Sequence, residues 1–283
     1  MDHAVFSHYR IAPVRQRYTP RDAMLYAHSV LVGAMLDHPR ALDFLSDTRG
    51  PSVLPSYAVD LGHPGFWLGN PDTTINAALN LHAEESFELD APLPTEAEVI
   101  GETKIVDIVD KGASKGALVY LEKTVTEVVT GRRLALCRRT LILRGDGGYD
   151  GPSGTPRTTP AEPATPPDEV RIVRTRPDQA LLYRLNGDSN ALHLEPDVAR
   201  KGGFERPILH GLCTFGIAAT AALFALADGD PKRFRGFSAR FSAPVYPGET
   251  LRIELWNDGA LRVVAEERNR PVLTHARADI LRQ

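Results

Sequence analysis

The chain has 283 residues, of which 42% are hydrophobic and 24% are charged, a globular composition long enough for two domains. Its formal net charge of −3 argues against a nucleic-acid binder, because phosphate recognition normally requires a basic excess. Its two cysteines give neither a disulfide framework nor a metal-ligand spacing, and no stretch approaches the roughly 18 apolar residues of a membrane span. We therefore expect a cytoplasmic protein that does not enter membranes.

The first half predicts two helices followed by several strands. An amphipathic helix is expected over residues 20–35, and a second, more apolar helix over residues 53–61. Segments rich in Val, Ile, Leu and Thr, separated by glycine or charged turns, predict strands over residues 97–109, 118–129 and 133–143.

The middle of the chain has the composition of a linker. Six of the 22 prolines lie between Gly147 and Asp168, together with Gly, Thr and Ser, and the segment has no helical or strand periodicity. This pattern predicts an N-terminal domain at residues 1–146, a linker at 147–169 and a C-terminal domain at 170–283.

The second half repeats the order of elements in the first. Helices are expected over residues 177–185 and 207–226, and strands over residues 237–243, 250–256, 261–266 and 272–280. A helix followed by consecutive strands indicates an antiparallel sheet packed on that helix, which is an α+β arrangement.

Short sequence echoes indicate that the two halves are related copies. Residues 20–26 (PRDAMLY) align with residues 177–183 (PDQALLY) at an offset of 157. Residues 87–92 resemble residues 238–244, and residues 139–144 resemble residues 277–282. The offsets differ, so we interpret the chain as two fused domains with insertions and not as a short-period repeat.

The second half also contains a concentrated set of polar side chains. Asp188, Asn190 and His193 are two and three residues apart in a glycine-containing turn, where short polar side chains can converge. Pro207 predicts the start of the following helix, whose first-turn N–H groups could hold negative charge on a substrate oxygen. Gly-Asp-Ser-Asn alone is ordinary turn composition, but the combination indicates a water-activating site.

The same residues resemble a known family. The pattern Tyr-x-Leu-x-Gly-Asp-x-Asn-x-Leu-His from Tyr183, with Pro-Ile-Leu-His-Gly-Leu-Cys from Pro207, is similar to the signature of MaoC-type (R)-specific enoyl-CoA hydratases. Asn186 stands where that signature usually has Ser, and Ala191 where it has Pro. The resemblance spans most of the chain and implies a tandem, or double, hot-dog fold, in which each long apolar helix is wrapped by an antiparallel sheet.

The resemblance also implies a reaction and roles for individual residues. Asp188 and His193 would activate a water molecule, Asn190 would orient water or substrate, and the backbone N–H of Gly211 would bind the thioester oxygen. The implied reaction is reversible hydration of a trans-2-enoyl-CoA to an (R)-3-hydroxyacyl-CoA. It requires no metal and no redox cofactor, because coenzyme A is part of the substrate.

Neighbouring residues are expected to have supporting roles. We interpret His210 as a structural histidine, and Cys213 as a buried hydrophobe because no nearby basic group would activate its thiol. At the offset of 157, the three polar site positions fall on apolar residues of the first half, namely Leu31, Gly33 and Leu36. The first domain is therefore expected to have a structural and acyl-tail-binding role.

The phosphates of coenzyme A require cationic neighbours. The candidates are Lys201, Arg206 and Arg240 near the motif and Lys115 in a glycine-bearing turn of the first half. Most of the 33 Lys and Arg residues must lie on solvated faces, which weakens each assignment. A homodimer is a further expectation, although no residue specifies it.

Two other functions compete with hydration. A thioesterase of the same fold would use a catalytic carboxylate outside any Asp-x-Asn-x-x-His arrangement. This chain has that arrangement intact, which disfavours a thioesterase. A non-catalytic acyl-CoA-binding subunit is the other alternative, and the unusual residues Asn186 and Ala191 keep it open.

Overall fold

The computed structural model describes residues 1–149 and 161–281, apart from the side chain at position 78, so residues 150–160 of the predicted linker lie outside the described residues. Within this part, ten antiparallel strands form one continuous sheet. The strands are β1 (Val14–Tyr18), β2 (Asn80–Leu89), β3 (Ala97–Asp110), β4 (Ala117–Glu127), β5 (Arg133–Leu143), β6 (Glu169–Arg174), β7 (Phe234–Phe241), β8 (Thr250–Leu255), β9 (Ala260–Ala265) and β10 (Arg270–Ile280).

The strand order has an internal symmetry. It runs β1-β3-β4-β5-β2-β7-β10-β9-β8-β6. Adding five to each strand number in the first half, β1-β3-β4-β5-β2, gives β6-β8-β9-β10-β7, which is the second half read from the other end of the sheet. The two five-stranded halves join where β2 pairs with β7, with Phe87 opposite Phe237 and Ser86 opposite Ser238. This topology is the one expected of two related copies whose sheets meet at a shared seam.

The described helices are α1 (His3–Phe6), α2 (Pro20–Ser29), α3 (Gln179–Tyr183), α4 (Pro196–Lys201) and α5 (Gly211–Leu226). The long helix α5 has 16 residues, and 13 of them are buried, so it is apolar on all sides as a core helix must be. The prediction that it starts near Pro207 is wrong. The chain before it is held elsewhere, since the N–H of Leu209 donates to the carbonyl of Val245 at 2.7 Å.

Residues 1–149, as the structure describes them, contain no counterpart of α5, and the predicted helix over residues 53–61 is wrong. The segment forms only a short 3-10 helix, Pro55–Val59. The Nζ of Lys123 donates to the carbonyls of Ala58, Val59 and Leu61 at 3.2, 2.7 and 2.7 Å, and so satisfies carbonyls that have no partner at the end of the helical segment. Among the described residues, the sheet therefore wraps one long helix, α5, in the second half.

The opening helices are shorter than predicted. Helix α2 starts with a capping box between Thr19 and Asp22, but it ends at Ser29 because Leu31 adopts a left-handed conformation with φ of 61°. A 3-10 helix, Val32–Met35, follows it. The helix predicted over residues 177–185 is divided in the same way into α3 and a 3-10 turn, Arg184–Asn186.

The seven predicted strands are confirmed within a few residues, but β1, β2 and β6 were missed. β1 and β6 lie at the two ends of the sheet and carry exposed charged residues, which dilutes their apolar alternation. β2 contains the charged run from His82 to Glu88. Because of these polar residues, β2 lacks the apolar pattern expected of a strand in the middle of a sheet.

One apolar core spans both halves. Tyr26 and Phe87 of the first half belong to the same buried cluster as Tyr183, Phe215 and Phe237 of the second. The two halves therefore bury their apolar surface jointly. None of the helices in residues 1–149 and 161–281 has the length and apolar character needed to cross a bilayer.

Candidate active site

A short loop after α3 carries the predicted acid, amide and imidazole. Gly187 adopts a left-handed conformation with φ of 119°, which favours glycine, and turns the chain into Asp188. The Asp188 carboxylate accepts from the N–H of Asn190 at 3.2 Å, and the Asn190 side chain accepts from the N–H of Leu192 at 3.0 Å. These local bonds fix the turn, as the Gly-Asp-Ser-Asn composition predicts.

His193 lies in the 3-10 turn that closes this loop, Ala191–His193. Its Nδ1 is 2.9 Å from the carbonyl of Ile208. A carbonyl can only accept, so Nδ1 carries the proton in this contact and Nε2 carries the lone pair. Burial lowers the pKa of His193 below its usual 6.5, which favours the neutral form that acts as a base.

His210 lies directly beside His193. The two rings stack with centroids 3.8 Å apart, and Nε2 of His210 donates to the carbonyl of Asp188 at 3.3 Å. Its Nδ1 is buried without a hydrogen-bond partner, and burial together with the neighbouring His193 lowers its pKa. The sequence indicated a structural histidine, and His210 is indeed 1% exposed, but the structure also brings it into the polar cluster.

Asp188, His193 and His210 together form a compact donor set. Each offers one ligating atom, and these three atoms lie within 4.8 Å of one another. A carboxylate and two neutral imidazoles can bind a transition metal, but the same groups can also hold a water molecule and exchange protons with it. The geometry alone permits both uses.

Gly211 follows His210 and is the first residue of α5. The N–H groups of the first helical turn have no partner inside the helix, and the helix dipole adds partial positive charge there. A Cβ at Gly211 would lie 3.2 Å from the ring of Phe241, so the site has little room for a side chain. A glycine at this position therefore allows another group to approach the start of α5.

The first half holds this loop in place through Ser29 and Asp60. The Asn186 amide donates to Oγ of Ser29 at 2.8 Å, which gives a physical role to the unusual Asn in the motif. Gln179 donates to the carbonyl of Ser29 at 2.6 Å, and the hydroxyl of Tyr183 donates to the Asp60 carboxylate at 2.8 and 3.1 Å.

The sequence analysis missed both anchors. The only available signal for Asp60 is a single acidic residue inside the apolar run from Val53 to Leu61. Ser29 carries no signal at all. Cys213 was identified correctly as a buried residue, and its burial raises the pKa of the thiol.

The four cations proposed for coenzyme A occupy different places. Arg206 stacks over the ring of Tyr246 at 4.8 Å, and Arg240 forms an ion pair with Glu84 at 2.7 Å, next to Phe241. Lys201 is exposed at the end of α4. Lys115 lies in the turn between β3 and β4. Arg206 and Arg240 are thus on segments that adjoin His210 and Gly211, whereas Lys115 belongs to a first-half turn.

Both halves of the chain match known protein families. Residues 158–276 match the MaoC like domain, and residues 16–145 match the MFE-2 hydratase 2 N-terminal domain. The enoyl-CoA hydratase ChsH3 of Mycobacterium tuberculosis is 38% identical over 273 residues, which cover 93% of this chain and 93% of that protein.

Solved structures support the same relationship. A MaoC-like dehydratase from Phytophthora capsici superposes with a TM-score of 0.86 at 29% identity and covers 100% of both chains. A conserved hypothetical protein of M. tuberculosis with a double hotdog fold superposes with a TM-score of 0.53 at 16% identity, over 96% of each chain. These structures confirm the predicted double hot-dog fold.

Proposed function

The chain belongs to the family of MaoC-like dehydratases, and on this premise we propose that it hydrates trans-2-enoyl-CoA reversibly to (R)-3-hydroxyacyl-CoA. The observation that carries the proposal is the position of Asp188 and His193 beside the N-terminus of α5. Groups that accept a proton thereby adjoin a helix end that can stabilise negative charge. The acyl-CoA thioester is the substrate class of this family.

The proposed reaction begins with a water molecule held between Asp188 and His193. The pair accepts one proton from the water as its oxygen attacks C3, and a proton from the pair then enters C2. One O–H bond of water and the π bond between C2 and C3 are broken, and a C3–O and a C2–H bond are formed, so the net change is the addition of water. Asn190 orients the water or the substrate. Such positioned proton transfer contributes about 10²–10⁴-fold to the rate.

The thioester oxygen gains negative charge when water attacks C3. The N–H of Gly211 is proposed to donate to this oxygen at the start of α5, where the helix dipole adds to the hydrogen bond. One such donor typically contributes about 2.7–4 kcal/mol to transition-state stability. The face of the enoyl group addressed by the Asp188–His193 pair and Gly211 sets the proposed (R) configuration, an assignment that rests on the family resemblance.

Coenzyme A enters as part of the substrate, and the proposed chemistry uses neither a metal nor a redox cofactor. Arg206 and Arg240 are our preferred contacts for its phosphates because they lie on segments adjoining the site, and Lys201 and Lys115 are secondary candidates. We retain the division into residues 1–146, 147–169 and 170–283, with the chemistry in the last of these. A homodimer and a cytoplasmic location also remain proposals.

A direct test is to add the protein to crotonyl-CoA and to longer enoyl-CoA thioesters and to monitor absorbance and free thiol together. Hydration removes the conjugated chromophore without releasing thiol, and this is the result we expect. Thiol release would indicate a thioesterase, and no change in either signal would indicate a binding protein. Either result contradicts the proposal. Adding an (S)-specific 3-hydroxyacyl-CoA dehydrogenase should yield no NADH, because the product is expected to be (R).

A further inference from the structure

We propose that Asp60, from the first half, is a positioning residue that acts on the hydratase site through Tyr183, an inference that rests on the proposed function. Asp60 follows the short 3-10 helix Pro55–Val59 and is only 7% exposed. Both of its carboxylate oxygens accept the Tyr183 hydroxyl, at 2.8 and 3.1 Å. The bond joins residues 123 positions apart in the chain.

Tyr183 connects Asp60 to the residues proposed to do the chemistry. It is fully buried and precedes Asp188 by five residues, separated from it by the 3-10 turn Arg184–Asn186. Its ring lies 5.1 Å from the ring of His210, which stacks on His193. A continuous series of contacts therefore leads from the first-half carboxylate to the proposed base.

Asp60 also faces a set of charged and titratable groups on the elements packed around it. The cationic ones are Lys123 on β4 and Arg139 on β5, and the acidic one is Asp188 on the loop. The remaining groups are weakly acidic hydroxyls and two thiols, namely Tyr57, Tyr26, Tyr183, Cys213 and, on β5, Cys137.

Two of the facing groups are already engaged with other partners. Lys123 gives its hydrogen bonds to three backbone carbonyls, and Arg139 pairs with Glu85 at 2.7 Å and contacts His63 at 2.8 Å. The Tyr183 hydroxyl is thus the only donor within hydrogen-bond distance of the Asp60 side chain in the described contacts. A buried carboxylate with so little support costs folding free energy, so its effect on the site must be sought in geometry and charge.

The charge of Asp60 changes near neutral pH. Burial raises its pKa to about 7, against the opposing effects of the Tyr183 hydrogen bond and of Lys123. An ionised carboxylate accepts a stronger hydrogen bond from Tyr183, which holds the loop that carries Asp188 and His193 more firmly. The rate of hydration should therefore rise with pH through about 7. Burial lowers the pKa of His193, so its own titration lies at a lower pH than that of Asp60.

The test compares Asp60→Ala, Asp60→Asn and Tyr183→Phe in the full-length chain, with kcat and KM measured on crotonyl-CoA from pH 5.5 to 8.5. We expect Asp60→Ala and Tyr183→Phe each to lower kcat about tenfold at pH 7.5, with KM changed less than about twofold. The double variant should be no worse than the poorer single one, because both changes break one contact.

Asp60→Asn is the variant that separates charge from shape. It keeps an oxygen acceptor for Tyr183, so we expect kcat to recover to within about threefold of the wild type. It cannot ionise, so the rise in kcat near pH 7 should disappear and leave the acidic plateau of the wild type at all pH values. Asp146→Asn is a control for removing a buried carboxylate away from the site, since Asp146 accepts from the backbone of Asn76 and pairs with the N-terminal ammonium at 3.0 Å; it should leave the rise near pH 7 intact.

The possible outcomes separate this inference from the proposed function. If the wild type does not hydrate enoyl-CoA, both are wrong. If the wild type is active, an Asp60→Ala variant with at least half the wild-type kcat overturns the role of Asp60 alone. An Asp60→Asn variant that keeps the rise near pH 7 also overturns it. If Asp60→Ala fails to fold, Asp60→Asn and Tyr183→Phe still decide the question.

Discussion

The loops after α2 and α3 begin alike and then diverge. Tyr26 and Tyr183 are equivalent in sequence, both fully buried, and their ring centroids lie 6.3 Å apart. Beyond Tyr183 the chain places Asp188 and His193 in a polar cluster, whereas the equivalent positions beyond Tyr26 are Leu31 and Leu36, which have no proton-transfer groups. The framework residues persist in both copies while the chemical groups are found in one. The first copy is left to support the second.

The segments packed inside the sheet also differ between the two halves, with a long helix in the second half and a short 3-10 helix in the first. In the second half, the apolar helix α5 packs against the sheet and ends the polar loop at Gly211. In the first half, the short 3-10 helix Pro55–Val59 is held by Lys123 and leads into Asp60, which bonds across to Tyr183. A shortened helix thus leaves room for buried polar groups. These groups reach the loop of the other copy.

The largest effect is expected when the two halves are separated by expressing residues 170–283 alone. Phe87 of the first half pairs with Phe237 across the seam and contacts Phe215 on α5, so the fragment would expose core surface and the edge of β7. We expect aggregation or self-association, with almost complete loss of activity, by light scattering and enoyl-CoA assay. A monodisperse, fully active monomer would contradict a shared core.

The second test removes the chemistry from the active copy. Asp188→Asn and His193→Ala should each lower kcat by about 10²-fold or more, because both groups handle the protons of one water. The double variant should be scarcely worse than the poorer single variant. Substrate affinity should change much less, as shown by KM or by direct titration.

The matched control for these variants is Leu36→Ala in the first half, at the position equivalent to His193. Leu36 is 56% exposed, and this change should leave kcat within about twofold of the wild type. An Asp188→Asn variant that is correctly folded and hydrates at the wild-type rate would disprove the catalytic assignment.

The sequence allowed the site motif to be predicted more completely than its surroundings. Asp188, Asn190 and His193 are close in the chain, so local turn chemistry brings them together without any long-range information. The seven confirmed strands are similarly local in origin. Asp60 depends on a contact across 123 positions, and no periodic pattern reports such a partner.

The errors in the helices have a related cause. The apolar run from Val53 to Leu61 has helical composition, but it forms only the 3-10 helix Pro55–Val59, and the carbonyls at its end accept from Lys123, more than 60 residues away. Pro207 looked like a helix start, yet the bond from Leu209 to Val245 keeps the chain extended as far as His210. In both places one end of the segment is held by a tertiary contact that local preference does not report.

The third test compares Gly211, at the start of α5, with Gly33 in the first half, which lacks the proposed catalytic groups. Gly211→Ala should reduce kcat about tenfold, because the new Cβ lies 3.2 Å from Phe241 and crowds the start of α5. Gly33→Ala, at the position equivalent to Asn190, has no atom within 4 Å of the new Cβ and should leave kcat unchanged. Equal losses in both variants would show that the crowding at Gly211 has no special consequence.

The smallest expected effect concerns how stability depends on pH, and it follows from the charge that the first copy buries. The folded-state pKa of Asp60, about 7, lies above the value near 3.9 of an unfolded aspartate, so the folded protein retains a proton that the unfolded chain has released. The stability linked to this proton is fully present below about pH 4 and is lost as the pH rises through about 7.

Asp60→Asn cannot lose that stability, since its side chain stays neutral at every pH. The variant carries a constant penalty for its buried amide N–H groups, but its Tm relative to the wild type should be higher by roughly 5 °C at pH 8 than at pH 5. Scanning calorimetry of both proteins at the two pH values measures the difference, and all other titrating groups cancel in it. Asp146→Asn, measured in parallel, accounts for the general effect of neutralising a buried aspartate. If the difference between Asp60→Asn and wild type is the same at both pH values, Asp60 is ionised throughout, and the rise of kcat near pH 7 would then need another origin.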